Sequence, residues 1–216
     1  MAIKGLTTPV IGDYNFNGSK ASYTNGFVCA HAIEYGVDVE ASDNNPLFGD
    51  DRIIENDYGK FSSGTLTLNT SDLDQESSKN ILGLKEVQRQ VGERQVTELV
   101  YDDDAKQGPK GVGVIETHQI DDQNKYRAVV LCKCTPNFPA EAATTKGETI
   151  EWQTREIEFQ IARSDEETTD YNHPWKYEAW FDTQAEAFEY LKAVLGVPEE
   201  ETLKASAAGI SEQKED

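Results

Sequence analysis

GETIEWQTREIEFQIARSDEE, from Gly147 to Glu167, is the stretch whose periodicity decides the fold. Ile150 and Trp152 alternate with Glu151 and Gln153. The phase then slips near Thr154 to Glu156, after which Ile157, Phe159 and Ile161 alternate with Glu156, Glu158 and Gln160. A period of two marks a strand with one apolar and one acidic face. The slip predicts a bulge, one extra residue that bends a long strand and re-aims its side chains. The acidic face is either the solvated outside of a sandwich strand or the wall of a solvent-filled space.

The same two-faced pattern recurs from about Cys29 to Glu40, where Ile33, Tyr35, Val37 and Val39 alternate with Glu34, Gly36, Asp38 and Glu40. Ala41 to Lys60 follows, a long connection with turn formers at both ends and Leu47, Phe48, Ile53 and Ile54 at its centre. A connection of this length with an apolar centre is either a loop that buries itself against something or a short hairpin packing locally. Gly64 to Thr70 predicts a strand with Leu66 and Leu68 inward. Ser71 and Asp74 then read as a capping pattern for a short helix that Gly83 ends.

Gln95 to Tyr101 and Gly111 to His118 read as the two arms of a hairpin joined through Asp102 to Pro109. Lys125 to Thr135 is apolar on both sides, as a central strand would be. Trp175, Tyr177, Ala179 and Phe181 alternate in a last strand. Thr183 and Glu186 then form a capping box for a helix carrying Ala187, Phe188, Leu191, Val194 and Leu195 on one face, with Gly196 and Pro198 as its stop. The expected architecture is mainly β: an antiparallel β-sandwich or open barrel with one or two flanking α-helices. Residues 1–20 read as an irregular arm whose apolar residues, among them Val10 and Ile11, dock it on its own domain or a neighbour. Residues 21–196 form the sandwich domain, including the loop 41–60, and 197–216 a flexible acidic tail.

The sign of the charge narrows function. The 216 residues carry 40 Asp and Glu against 20 Lys and Arg, a net charge of −20 that repels nucleic acid and anionic membrane. Cys29, Cys132 and Cys134 are odd in number and read as buried, reduced thiols. No signal core, membrane span, phosphate loop or dinucleotide fingerprint occurs in the sequence. His31, His118 and His173 are widely spaced, without a ligand motif, and read as partly exposed polar residues near strand ends. Asp102, Asp103 and Asp104 fail the calcium-loop pattern, because Lys106 and Gln107 fill its fifth and sixth positions. Carboxylate pairs that could serve a glycosidase carry no weight among 40 acids. The expectation is a protein that is not an enzyme and holds no cofactor or metal.

Seven segments taken together resemble the major tail, or tail tube, proteins of long-tailed siphovirus-type bacteriophages. They are GLTTPVIGDY (Gly5 to Tyr14), AIEYGVDVEASDNNPLFGD (Ala32 to Asp50), GTLTLNTSDLDQE (Gly64 to Glu76), LVYDDDAK (Leu99 to Lys106), RAVVLCKC (Arg127 to Cys134), ATTKGETIEWQTREIE (Ala143 to Glu158) and RSDEETTDYNHPWKYEAWF (Arg163 to Phe181). The resemblance rests on many weak matches in order, and it implies a virion protein assembled in the host cytoplasm. Six copies would form a ring, and rings would stack into a tube that conducts DNA during ejection. Implied partners are other copies of the chain, a tape-measure protein, tail-terminator or distal tail proteins, and DNA in transit, with no membrane.

In that picture the N-terminal arm and the loop 41–60 lock rings together, through Val10, Ile11, Leu47, Phe48, Ile53 and Ile54. Six copies at −20 each carry −120 formal charges, and an acidic lumen lets a phosphate backbone slide without sticking. Glu34, Asp38, Glu151, Glu156 and Glu158, opposite apolar strand faces, are the candidates for lining it. The alternative from another class is a binding module, a sandwich domain on a virion or cell surface with the long loop as its recognition edge.

Overall fold

The computed structural model describes residues 2–29, 31–71, 73–103, 105, 107–139 and 154–198. Its strands are β1 (Ala2–Phe16), β2 (Ala21–Val28), β3 (Ala32–Ala41), β4 (Asn45–Gly49), β5 (Arg52–Asp57), β6 (Phe61–Thr70), β7 (Lys85–Val91), β8 (Arg94–Val100), β9 (Lys110–Ile120), β10 (Gln123–Pro136), β11 (Arg155–Ala162) and β12 (Lys176–Phe181). Helices α1 (Gln75–Leu82) and α2 (Gln184–Leu195) complete the described elements. The chain is mainly β and antiparallel, with two flanking helices, as its patterning predicts.

The main sheet runs β2-β1-β9-β10-β11-β6-β3, and β10 makes it a sandwich. Between Tyr126 and Leu131 this strand pairs with β9 on one side and β12 on the other. Its register with β9 then shifts between Leu131 and Cys134, and on the other edge Lys133 to Pro136 pair with β11 in place of β12. One strand therefore belongs to both layers, as an irregular register permits. Between the layers lie Leu66, Leu68, Val112, Leu131, Ile157 and Phe159, closed at one end by Ile81 and Leu82 of α1. On the outer face of β1, β9 and β10, Ala187, Leu191 and Leu195 of α2 cover Val10, Ile115, Ala128 and Val130.

Helix α2 forms as expected, with the reciprocal Thr183–Glu186 capping box and Gly196 left-handed at φ 69°. Its C-terminus docks backbone to backbone on β2, where Gly26 N–H donates to the Gly196 carbonyl at 3.0 Å. A Cβ on Gly26 would sit 2.7 Å from both the Gly196 carbonyl carbon and the Val197 nitrogen. Backbone cannot swing aside as a side chain can, so Gly26→Ala should destabilise the fold by about 2 kcal/mol and lower Tm by about 4–8 °C. An unchanged melting curve would show that the helix end shifts freely.

Four expectations are corrected. Residues 2–16 are not an irregular arm but the fifteen-residue strand β1, held between β2 and β9. Residues 95–101 do not pair with 111–118: β8 pairs with β7, while β9 pairs with β1 and β10. The cap of α1 is Asp74, which accepts from Ser77 N–H at 2.9 Å, rather than Ser71. His118 is buried at 5% exposure, not partly exposed at a strand end. Cys29, Cys132 and Cys134 are buried as expected, and burial pushes the Cys132 thiol up to about 12. The expected bulge near 154–156 borders residues 140–153, which lie outside the described residues; from Arg155 onward β11 pairs with β6 without a register shift.

Candidate functional site

Alternation on β11 buries Ile157, Phe159 and Ile161 and leaves Glu156, Glu158 and Gln160 exposed. The same alternation on β6 turns Leu66 and Leu68 inward and Ser63, Thr65, Thr67 and Asn69 outward. Antiparallel register then sets these outward residues in rows. Asn69 lies between Glu34 of β3 and Glu156 of β11, Thr67 between Gly36 and Glu158, and Thr65 between Asp38 and Gln160. Glu40 extends the acid along β3, accepting from the Ser63 hydroxyl at 2.8 Å.

Four of the five acids expected to share a function therefore share one open face, with an uncharged hydroxyl and amide strand between two acidic strands. The fifth, Glu151, lies outside the described residues. Among the rows that β3, β6 and β11 define on this face there is no lysine or arginine. The face can repel polyanions, and it ends on β3, whose second edge has no strand partner among the described residues.

An internal charge cluster holds β3 at that edge. Glu116 of β9, 2% exposed, accepts from the Tyr35 hydroxyl of β3 and from Arg127 of β10 at 3.2 Å, and it pairs with His118 Nε2 at 2.7 Å. Arg127 also pairs with Glu178 of β12 and lies over the Trp180 ring at 6.0 Å. Burial works against ionising Glu116. The hydrogen bonds from Tyr35 and His118 and the Arg127 charge outweigh it, holding the carboxyl below the usual range. Burial and the Glu116 carboxylate both push the Tyr35 phenol up. The sequence carries a signal for this cluster: Glu116 and His118 continue the face of β9 that Val112 and Val114 begin.

Leu47, Phe48, Ile53 and Ile54 lie together on one exposed ribbon. The connection 41–60 is a β-hairpin, β4 to β5, turning through Asp50 and Asp51, both at positive φ, with all four apolar residues more than half exposed. Its base is pinned where Ser42 N–H donates to the Lys60 carbonyl at 2.9 Å. Val10 and Ile11 are a correction. Both are fully buried on opposite faces of β1, Val10 beneath α2 and Ile11 between the layers, so neither has surface to offer another chain.

No group of three or more potential metal ligands occurs among the described residues. No described helix is long and apolar enough to cross a membrane. A scan against protein-family models and a search of curated proteins returned no match.

Proposed function

We propose that the chain is a tail-tube subunit: a structural virion protein that polymerises as stacked six-fold rings and presents the β3-β6-β11 face to DNA passing through the lumen. The observation that carries it is the joining of Glu34, Asp38, Glu156 and Glu158 on one face that ends at the open edge of β3. An open edge offers main-chain groups to another copy, and sheet continuation would join the acidic faces of neighbours into one surface. The resemblance to tail tube proteins supplies the six-fold ring, the tape-measure template and the terminator or distal partners.

Self-repulsion among −120 charges per ring must be offset by strand pairing and apolar burial, so salt should favour assembly. Negative-stain microscopy of the concentrated protein should show tubes whose yield rises from about 0.05 M to about 0.5 M salt, as the Debye length shrinks below 10 Å. Tube yield that falls with salt would count against the electrostatic account. The exposed hairpin at Leu47, Phe48, Ile53 and Ile54 also suits a surface binding module. That alternative predicts monomers or small oligomers at every concentration.

A further inference from the structure

The second hairpin, β7 to β8, is a two-stranded sheet of its own. Its strands pair from Lys85–Val100 to Val91–Arg94, turning through Gly92 at φ 62°. Antiparallel register puts Val87, Arg89 and Val91 of β7 on the same face as Arg94, Val96 and Glu98 of β8. Val87, Val91 and Val96 are all exposed, an apolar strip that a folded monomer would normally cover. Lys85 opens the same face, so in a chain of net charge −20 it carries three cations against one carboxylate. Arg89 is neutralised by Glu98 at 2.7 Å and Lys85 by Asp102 at 2.7 Å. Arg94 makes no ion pair among the described residues, so its charge is available to a partner.

The β4–β5 hairpin is its complement. It has the same two-stranded build and exposes Leu47, Phe48, Ile53 and Ile54, but it carries Asp50, Asp51, Glu55 and Asp57 against the single Arg52. None of these acids makes an ion pair among the described residues. One hairpin thus offers exposed apolar groups with surplus negative charge; the other, neutral overall because Glu86 on its opposite face and Glu93 in its turn add to Glu98, offers a face of exposed valines on which Arg94 is the cation left without an ion pair among the described residues.

We infer that the β7–β8 ribbon is the docking surface for the β4–β5 hairpin of a second copy of the chain, its valine strip covered by the partner's Leu47, Phe48, Ile53 or Ile54 and Arg94 facing the partner's acids. The inference rests on the tube reading, since it names the receptor for a hairpin expected to link subunits. Such a contact is heterologous: each copy gives one ribbon and receives the other, which propagates into a ring or filament rather than closing as a dimer. Charge supplies direction as well as attraction, because hairpin against hairpin would place the acids Asp50, Asp51, Glu55 and Asp57 together, whereas hairpin against ribbon sets them against Arg94.

The test is charge reversal with rescue, read as the protein concentration needed for half-maximal assembly in sedimentation, with microscopy of the pellets. Arg94→Glu, and separately Glu55→Lys with Asp57→Lys, should each raise that concentration about tenfold at low salt. The penalty should shrink at about 1 M salt, where the Debye length is near 3 Å. The chain carrying all three changes restores opposite signs across the contact and should assemble at close to the wild-type concentration. Circular dichroism of each variant as a monomer checks that the exposed substitutions leave the fold intact.

Losses that add in the triple variant would overturn the assignment, because the two ribbons would then face different partners. Variants that assemble like the wild type would overturn it too. A wild-type chain that stays monomeric at every concentration and salt would overturn the tube reading along with it, and would be told apart by the behaviour of the unmodified protein alone.

Discussion

Glu116→Gln is expected to lower the free energy of unfolding at pH 7 by about 3 kcal/mol, and Tm by about 6–12 °C for a chain of this size. The exchange keeps the shape of the side chain and removes the charge that Tyr35, His118 and Arg127 share. Arg127 keeps Glu178 as a counter-ion near the surface, which limits the loss, but its inner side then faces a buried neutral amide. Because Glu116 ionises more readily folded than unfolded, its contribution is present above the ordinary glutamate value of about 4.3 and is lost as pH falls through the lower folded value. The gap between wild type and variant should therefore narrow below about pH 4.

Urea unfolding at pH 7 and at decreasing acid pH measures both effects. A variant as stable as the wild type, or a gap that stays constant into acid, would show that the cluster does not hold the layers together. Hydrogen exchange supplies the local reading: the amides through which β3 pairs with β6 should exchange faster in the variant, because Tyr35 ties β3 to β9 through this carboxylate.

The elements that were legible in the sequence are those whose signals are local. Burial on β11 follows its period-two alternation at Ile157, Phe159 and Ile161, and α2 follows from Thr183, Glu186 and Gly196, each acting within one turn of its own helix. Strand β1 was hidden because its register shifts three times, between Ile3 and Gly5, Thr7 and Val10, and Ile11 and Asp13. Each shift breaks the alternation, and Pro9 and the glycines then read as loop. With β1 unrecognised, its partner β9 appeared free to pair with the preceding strand.

The acids on β3 and β11 could be assigned to the outward faces of their own strands from sequence. That the two faces are one surface could not, because β6 joins them only through long-range pairing, Glu34 to Asn69 to Glu156. The hairpin turn at Asp50 and Asp51 was also obscure, since both residues take positive φ without the glycine that usually marks such a turn.

If the β3-β6-β11 face lines a tube lumen as proposed, replacing Glu34, Asp38, Glu156 and Glu158 together by lysine should turn a surface that repels DNA into one that holds it. Each copy moves from −20 to −12, and a six-fold ring would present 24 lysines in place of 24 carboxylates on the β3-β6-β11 face. If six to ten of them reach phosphates, retention of duplex DNA should fall about 10³- to 10⁵-fold between 50 and 200 mM salt, the steep dependence that counterion release imposes. Wild-type tubes should retain none at either concentration.

All four positions are solvent-facing, so the fold should tolerate the change, and weaker self-repulsion should let the variant assemble at lower salt than the wild type. Replacing the same four by Gln or Asn separates the two effects: it should ease assembly without creating DNA retention, because repulsion is removed and no contact is added. Nuclease protection of end-loaded duplex, with filter retention across the salt series, makes the comparison. Lysine tubes that assemble and still ignore DNA would place this face outside the lumen, leaving its acids to solubility alone.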